Sequence, residues 1–251
     1  REWDKKSHSF FIFGGVYMDK KLLKGSLKLS NLIASLNYKR KFRLEHPDYF
    51  EPSGTLVFCG SQGEGKTISA VQYVIKIAHE YPKSILCTNV DIERDMFPED
   101  YQIIEYDGLE TLKTISNGYY GVVYLIDEIH LELNSLESKN VDIDIMTEIS
   151  QQRKQRKHIV GTSQVYMRMA KPLREQIRNI VLCKNWFGLI QHNKLIDGDK
   201  TVEKDGKLET TTVRNYWWFH SPKLYGCYDT FAKMRRYNKL WNGRERVNNY
   251  G

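Results

Sequence analysis

Gly60-Ser61-Gln62-Gly63-Glu64-Gly65-Lys66-Thr67 is the stretch of this chain best suited to hold a polyphosphate. It fits the spacing G-x-x-x-x-G-K-[ST] at every fixed position. Glycines let the backbone turn successive N–H groups toward phosphate oxygens. The N-terminus of a following helix adds positive potential at the same place. With this spacing Lys66 is expected to reach the β- and γ-phosphates of ATP, and the Thr67 hydroxyl to ligate Mg²⁺. An acidic pair, Asp127-Glu128, closes the apolar run Val122-Val123-Tyr124-Leu125-Ile126 about 60 residues further on. Asp127 is the expected Mg²⁺ holder, directly or through water. Glu128 is the expected group that orients or deprotonates an attacking water. Without the glycine-rich loop the same pair would read equally well as a helix cap.

Other polar residues stand where they can join this chemistry. Gln164 ends the run His158-Ile159-Val160-Gly161-Thr162-Ser163 and could sense a γ-phosphate from a neighbouring strand; a plain strand-end turn is the other reading. His130 follows the acidic pair and reads better as a packing or surface residue than as part of a water network. Arg153, Lys154, Arg156 and Lys157 form a dense basic run, and Arg174 and Arg178 stand four apart, the spacing of one helix face. Arg153, Arg156 and Arg178 are candidates for an arginine that neutralises transition-state charge in a neighbouring subunit. Each could instead be a solvated charge or a contact to DNA phosphate.

The elements that must position these groups alternate. Gly54–Cys59 reads as a buried strand and Ile68–Glu80 as a helix, which sets the glycine-rich loop between strand and helix. Further strands are expected at 84–90, 122–128, 158–164 and 180–183. Helices are expected near 109–117, over 142–156 and over 171–178. Near-continuous apolar strands separated by helices imply a parallel sheet covered on both faces. After 184 the pattern changes to two strands, 186–196 and 208–219, with a polar tip between them, and then a basic helix over 228–240. Residues 1–53 are harder to read: a short strand at 9–13, a partly helical 22–36, a basic cluster Lys39–Arg43, and Pro47 and Pro52 marking a linker. The expected organisation is a basic N-terminal extension (1–53), a nucleotide-binding core (54–185) and a basic, aromatic C-terminal appendage (186–251).

Charge supports that division. The 251 residues carry net +7, split as +5 over 1–53, −11 over 54–150 and +13 over 151–251. Basic ends around an acidic core suggest a polyanionic partner such as DNA. Arg214, Tyr216, Trp217, Trp218, Phe219, His220, Lys223 and Tyr225 mix rings with cations, a composition suited to nucleic-acid stacking. Strand alternation would also send half of those rings into a core. Cys59, Cys87, Cys183 and Cys227 form no C-x-x-C pair, so a zinc site is not expected and a reducing cytoplasm is the simplest compartment. No apolar run approaches the ~20 residues that a membrane helix needs.

The glycine-rich loop, the strand Val122–Glu128, the strand ending Thr162-Ser163-Gln164 and the stretch Leu173-Arg174-Glu175-Gln176-Ile177-Arg178 together resemble the FtsK/HerA superfamily of P-loop ATPases, over about residues 54–185. Two branches look like this chain: viral genome-packaging ATPases, and the zonular occludens toxin-like (Zot) assembly ATPases of filamentous phages. Both follow the acidic strand with a basic helix, a strand ending in glutamine and an Ile-Arg helix, here 151–157, 158–164 and 172–178. Tyr225–Thr230 is similar to the closing segment of some packaging ATPases. The resemblance implies an α/β, RecA/FtsK-like P-loop fold with the C-terminal hairpin and helix appended. It further implies ATP and Mg²⁺ as cofactors, and a homo-oligomeric ring, usually a hexamer, that moves DNA or drives virion export. Capsid or coat proteins are the implied further partners. The host cytoplasm is the implied location, with virion association as a second. Three departures stand out, the first being His130, which stands where a pattern of small or amide residues is expected to begin. Zot-like proteins usually carry a membrane anchor beyond the ATPase domain, and no such span is present here. Residues 1–53 match no part of the pattern.

Overall fold

The computed structural model describes residues 11–13, 16–18, 28–134, 143–164, 166, 174, 176–198, 200–204 and 207–229. Residues 1–47 and 48–251 are separate compact units. In the first, β1 (Phe11–Phe13) and β2 (Val16–Met18) pair antiparallel, and α1 spans Leu29–Glu45. Helix α1 thus runs longer than the partly helical 22–36 expected. The basic cluster Lys39–Arg43 lies on its last turns.

In the second unit the apolar runs line up as one eight-stranded sheet. Its parallel part is β3 (Gly54–Cys59), β4 (Ile85–Thr88), β6 (Gln102–Glu105), β7 (Val122–Ile126), β8 (Lys157–Ser163) and β9 (Ile177–Trp186). Strands β10 (Ile190–Asp197) and β13 (Thr212–Phe219) add antiparallel to its edge, giving the order β13-β10-β9-β3-β8-β7-β4-β6. The glycine-loop strand β3 therefore lies inside the sheet, between β8 and β9. In sequence β5 (Asp91–Ile92) follows β4, outside this sheet, and the tip between β10 and β13 folds as a small pair, β11 (Val202–Lys204) with β12 (Lys207–Glu209).

Helix α2 (Lys66–Glu80) covers one face. It buries Ile68, Ala70, Val71, Val74, Ile75, Ile77 and Ala78 against Leu56, Phe58, Leu86, Val123, Leu125 and Val160. It stops at Tyr81, because the residue before Pro82 is pushed away from helical geometry. The opposite face carries α3 (Thr111–Thr114), α4 (Ile129–Asn134) and α5 (Ile143–Gln155). There Leu112, Ile129 and Ile149 meet Val57, Tyr124, Ile126 and Ile159. Mostly parallel strands with helices on both faces and a glycine-rich loop between β3 and α2 make the P-loop NTPase α/β fold.

Two local readings are corrected. Arg178 is not on a helix: Ile177–Trp186 is a ten-residue strand, and only Arg174 of the described residues before it is helical. The stretch Ile177–Val181, with β-branched Ile177, Ile180 and Val181, gains ladder hydrogen bonds beside β3 that a short helix would forgo. Tyr228–Asp229 does not begin a helix but forms β14, paired with β5, after the five-residue α6 (Pro222–Gly226). Residues 230–240 of the expected terminal helix lie outside the described residues. The expected hairpin after 184 is present, and it continues the central sheet.

Candidate active site

Parallel strands place all their C-terminal ends on one edge, which is where the loop after β3 and the acids after β7 meet. The loop turns through Gly63 (φ 82°) and Gly65 (φ 76°) into α2. Gly65 caps the helix in the left-handed region, and a Cβ there would lie 2.0 Å from Gln191 Oε1. Only glycine meets both conditions. Lys66 is buried, and its ammonium donates to Ser61 O at 3.0 Å, so the lysine lies along the inside of the loop.

The two oxygens expected to hold Mg²⁺ are neighbours: Thr67 Oγ1 donates to Asp127 Oδ1 at 3.2 Å. One hydroxyl and one carboxylate oxygen facing each other form a hard, all-oxygen donor set of the kind magnesium takes beside phosphates. Thr67 and Asp127 therefore fit that ion. Asp127 is fixed from two further directions. Thr162 Oγ1, on the adjacent β8, donates to the same Oδ1 at 2.7 Å. Asn89, past the end of β4, accepts from Asp127 N at 2.8 Å and donates to Asp127 O at 3.3 Å.

Glu128 leaves the strand in the left-handed region, φ 52°. For an L-residue this conformation costs about 1–2 kcal/mol. Its N–H donates to Thr162 Oγ1 at 2.9 Å, so one threonine ties both acids to β8. Gln164 Nε2 donates to Glu128 Oε1 at 3.3 Å, and His130 Nδ1 lies 3.2 Å from Glu128 Oε2 and 3.3 Å from Ser163 Oγ. The acids, Lys66, Thr67 and Gln164 thus share one sheet edge.

Arg156 and Arg178 do not join this group. Arg156 and Arg178 flank the starts of β8 and β9, at the opposite ends of the strands that carry the loop. The Arg156 guanidinium stacks on Tyr49, 3.9 Å from the ring centroid, with Tyr119 at 5.5 Å. Arg178 is exposed beside Gly54. Arg153 lies on α5, and its side chain falls outside the described residues.

Sequence reasoning missed a second set of polar residues. Asn185 N donates to Glu64 Oε2 at 2.8 Å, and Gln191 Nε2 donates to Glu64 O at 3.0 Å. Gln191 also donates to Asn193 Oδ1 at 3.0 Å. Asn193 Nδ2 reaches Ser69 Oγ on α2 at 3.1 Å and Tyr216 on β13 at 3.3 Å. His220 Nε2 lies 3.1 Å from Gln191 Oε1. Alternate polar residues on a strand read as solvent-facing, yet Gln191 and Asn193 are buried against the loop and α2. Among the neighbouring thiols, burial raises Cys59 and pushes Cys183 up to about 12, so neither competes as a nucleophile.

The fold and the loop-and-acids edge define a P-loop NTPase. Among solved structures the chain is similar to the N-terminal domain of zonular occludens toxin from Neisseria meningitidis, at 13% identity and TM-score 0.46, covering 71% of this chain and 100% of that one. It is also similar to the genome packaging NTPase B204 of Sulfolobus turreted icosahedral virus 2 in complex with ATP-γS, at 13% identity and TM-score 0.45, covering 63% and 96%. A third solved structure, an ATPase domain, aligns at 10% identity and TM-score 0.44, covering 81% of this chain and 99% of that one. No protein-family model and no curated protein matches the chain.

Proposed function

We propose that this protein is a magnesium-dependent ATPase whose turnover drives movement of DNA, as a genome-packaging motor does. The observation that carries the enzymatic part is the shared edge on which Thr67 and Asp127 face each other while Glu128 stands beside Gln164. In this reading the loop amides and Lys66 bind the triphosphate, and Lys66 exchanges its bond to Ser61 O for phosphate oxygens. Thr67 and Asp127 would hold Mg²⁺, which would supply positive charge against the phosphates when bound. Glu128 accepts a proton from the attacking water, and Gln164 orients the carboxylate through the bond to Oε1. His130 Nδ1 stands 3.2 Å from the other oxygen of the same carboxylate.

DNA as the partner is supported by the basic charge of residues 1–53 and 151–251 around an acidic middle. An assembly of several copies, with Arg178 as the exposed arginine offered to a neighbour, completes the reading. The competing description is a nucleotide-binding scaffold without turnover. Glu128→Gln separates the two: ATP binding is retained, and turnover falls by about 10²–10⁴-fold. Lys66→Ala weakens ATP binding itself. Unchanged turnover in Glu128→Gln overturns the assigned base, and turnover indifferent to added DNA overturns the motor.

A further inference from the structure

Strands β9, β10 and β13 present two different faces. On one, Gln191 reaches the glycine loop, Asn193 reaches α2, and Tyr216 accepts from Asn193. The other is ordered by register into three rows: Trp186–Ile190–Phe219, Lys184–His192–Trp217 and Leu182–Lys194–Asn215. Its rings stand open. Phe219 is 78% exposed, Trp217 58% and Trp186 41%. The two tryptophans form one array with His192: Trp217 lies 6.3 Å from Trp186 and stacks on His192 at 4.1 Å, with 14° between the planes. Lys184 Nζ sits 5.1 Å from the Trp186 ring, and Lys194 lies one row further along β10. No acidic residue occurs in the three rows.

Exposed rings on a flat sheet offer π-faces, and lysines without acids offer a partner for phosphate. In a duplex the bases are stacked on each other and closed to such rings, whereas a single strand has free base faces. A protein partner fits less well, because lysine is depleted from protein–protein interfaces. We propose that this face binds single-stranded nucleic acid, with bases stacked on Trp217, Trp186 and Phe219 and phosphates held by Lys184 and Lys194. This deepens the proposed function and rests on it only for coupling to turnover: the same strands that carry the rings also hold Glu64 of the glycine loop.

The test is a titration of the full chain, without nucleotide, with fluorescein-labelled oligothymidylate and with a duplex of equal length. Anisotropy and tryptophan emission are both read. The expected result is single-strand binding that quenches tryptophan. Trp217→Ala and Phe219→Ala each weaken it by about tenfold or more. Phe219, the more exposed ring, carries the test if Trp217→Ala does not fold. Replacing Lys184 and Lys194 together by Gln reduces the slope of log affinity against log salt by about 1.4. Preference for the duplex, or binding unchanged in the variants, overturns the proposal. So does a concentration-dependent emission change without oligonucleotide, which would mean that a second copy covers the face. Mg-ATP turnover is measured on the same preparation. Lost turnover with intact oligonucleotide binding overturns the ATPase reading and leaves this one standing.

Discussion

Asp127 and Glu128 are adjacent in sequence but are steered apart by a single hydroxyl. Thr162 donates to the Asp127 carboxylate and accepts from the Glu128 amide, so its one oxygen sets both acids against β8. Thr162→Val keeps the shape and removes both bonds. The expected outcome is turnover lowered by about tenfold or more, with weaker magnesium dependence of ATP binding. Thr162→Ser restores most of both, which a merely structural loss would not do. Kinetics at varied magnesium measure it. Lys66, Thr67 and the two acids were legible in the sequence because phosphate chemistry fixes their types and spacing. Thr162 and Asn89 were not legible as positioning residues. Their roles arise only when β8 and β4 flank β7, and strand order is not written in local spacing.

Between elements, His158 joins three pieces. Its Nδ1–H donates to Gly54 O of β3 at 2.9 Å, and its Nε2 accepts from Tyr73 OH of α2 at 3.0 Å. Burial lowers its pKa from 6.5 to about 4. The folded state therefore refuses a proton that the unfolded chain takes up. Stability is intact above pH ~6.5 and is lost progressively as pH falls toward 4, by about 3 kcal/mol in all. Denaturant unfolding from pH 7 to 4 should show that slope in the parent and a shallower one in His158→Gln, whatever the variant's stability at pH 7. At this scale the β3–α2 and β7 elements followed from apolar runs and turn signals. Arg178 did not. Four-residue spacing suits a helix, but β9 is set by the open edge of β3 beside it, a long-range pairing.

For the molecule as a whole, the distribution of charge and of arginines belongs together with assembly. Arg178 is exposed at the strand ends opposite the glycine loop, so the role proposed for it at a nucleotide requires a second copy. Sedimentation with Mg-ATP and Glu128→Gln, which holds the nucleotide, should show a discrete larger species. Arg178→Ala should keep ATP binding and lose turnover by about 10³-fold or more. A monomer at all concentrations removes the role. The two-sided sheet was legible from composition and alternation. The merging of the 186–219 hairpin into that sheet was not, because a hairpin's own sequence does not say which edge it extends.

All four cysteines lie inside the unit that carries the glycine loop, and all are buried and free. Burial lifts Cys87 and Cys183 to about 12 and raises Cys59 and Cys227 above the ordinary thiol range. The folded molecule is thus deaf to alkylating reagents, and each sulfur becomes reactive only when its own strand or turn comes away. Iodoacetamide, followed by peptide mass, should mark Cys227 before Cys59, since the first sits at a short two-residue ladder and the second on an interior strand. Saturating Mg-ATP should slow Cys59 further and leave Cys227 nearly unchanged. The protein thereby carries four native timers of its own opening, with no residue introduced to report it.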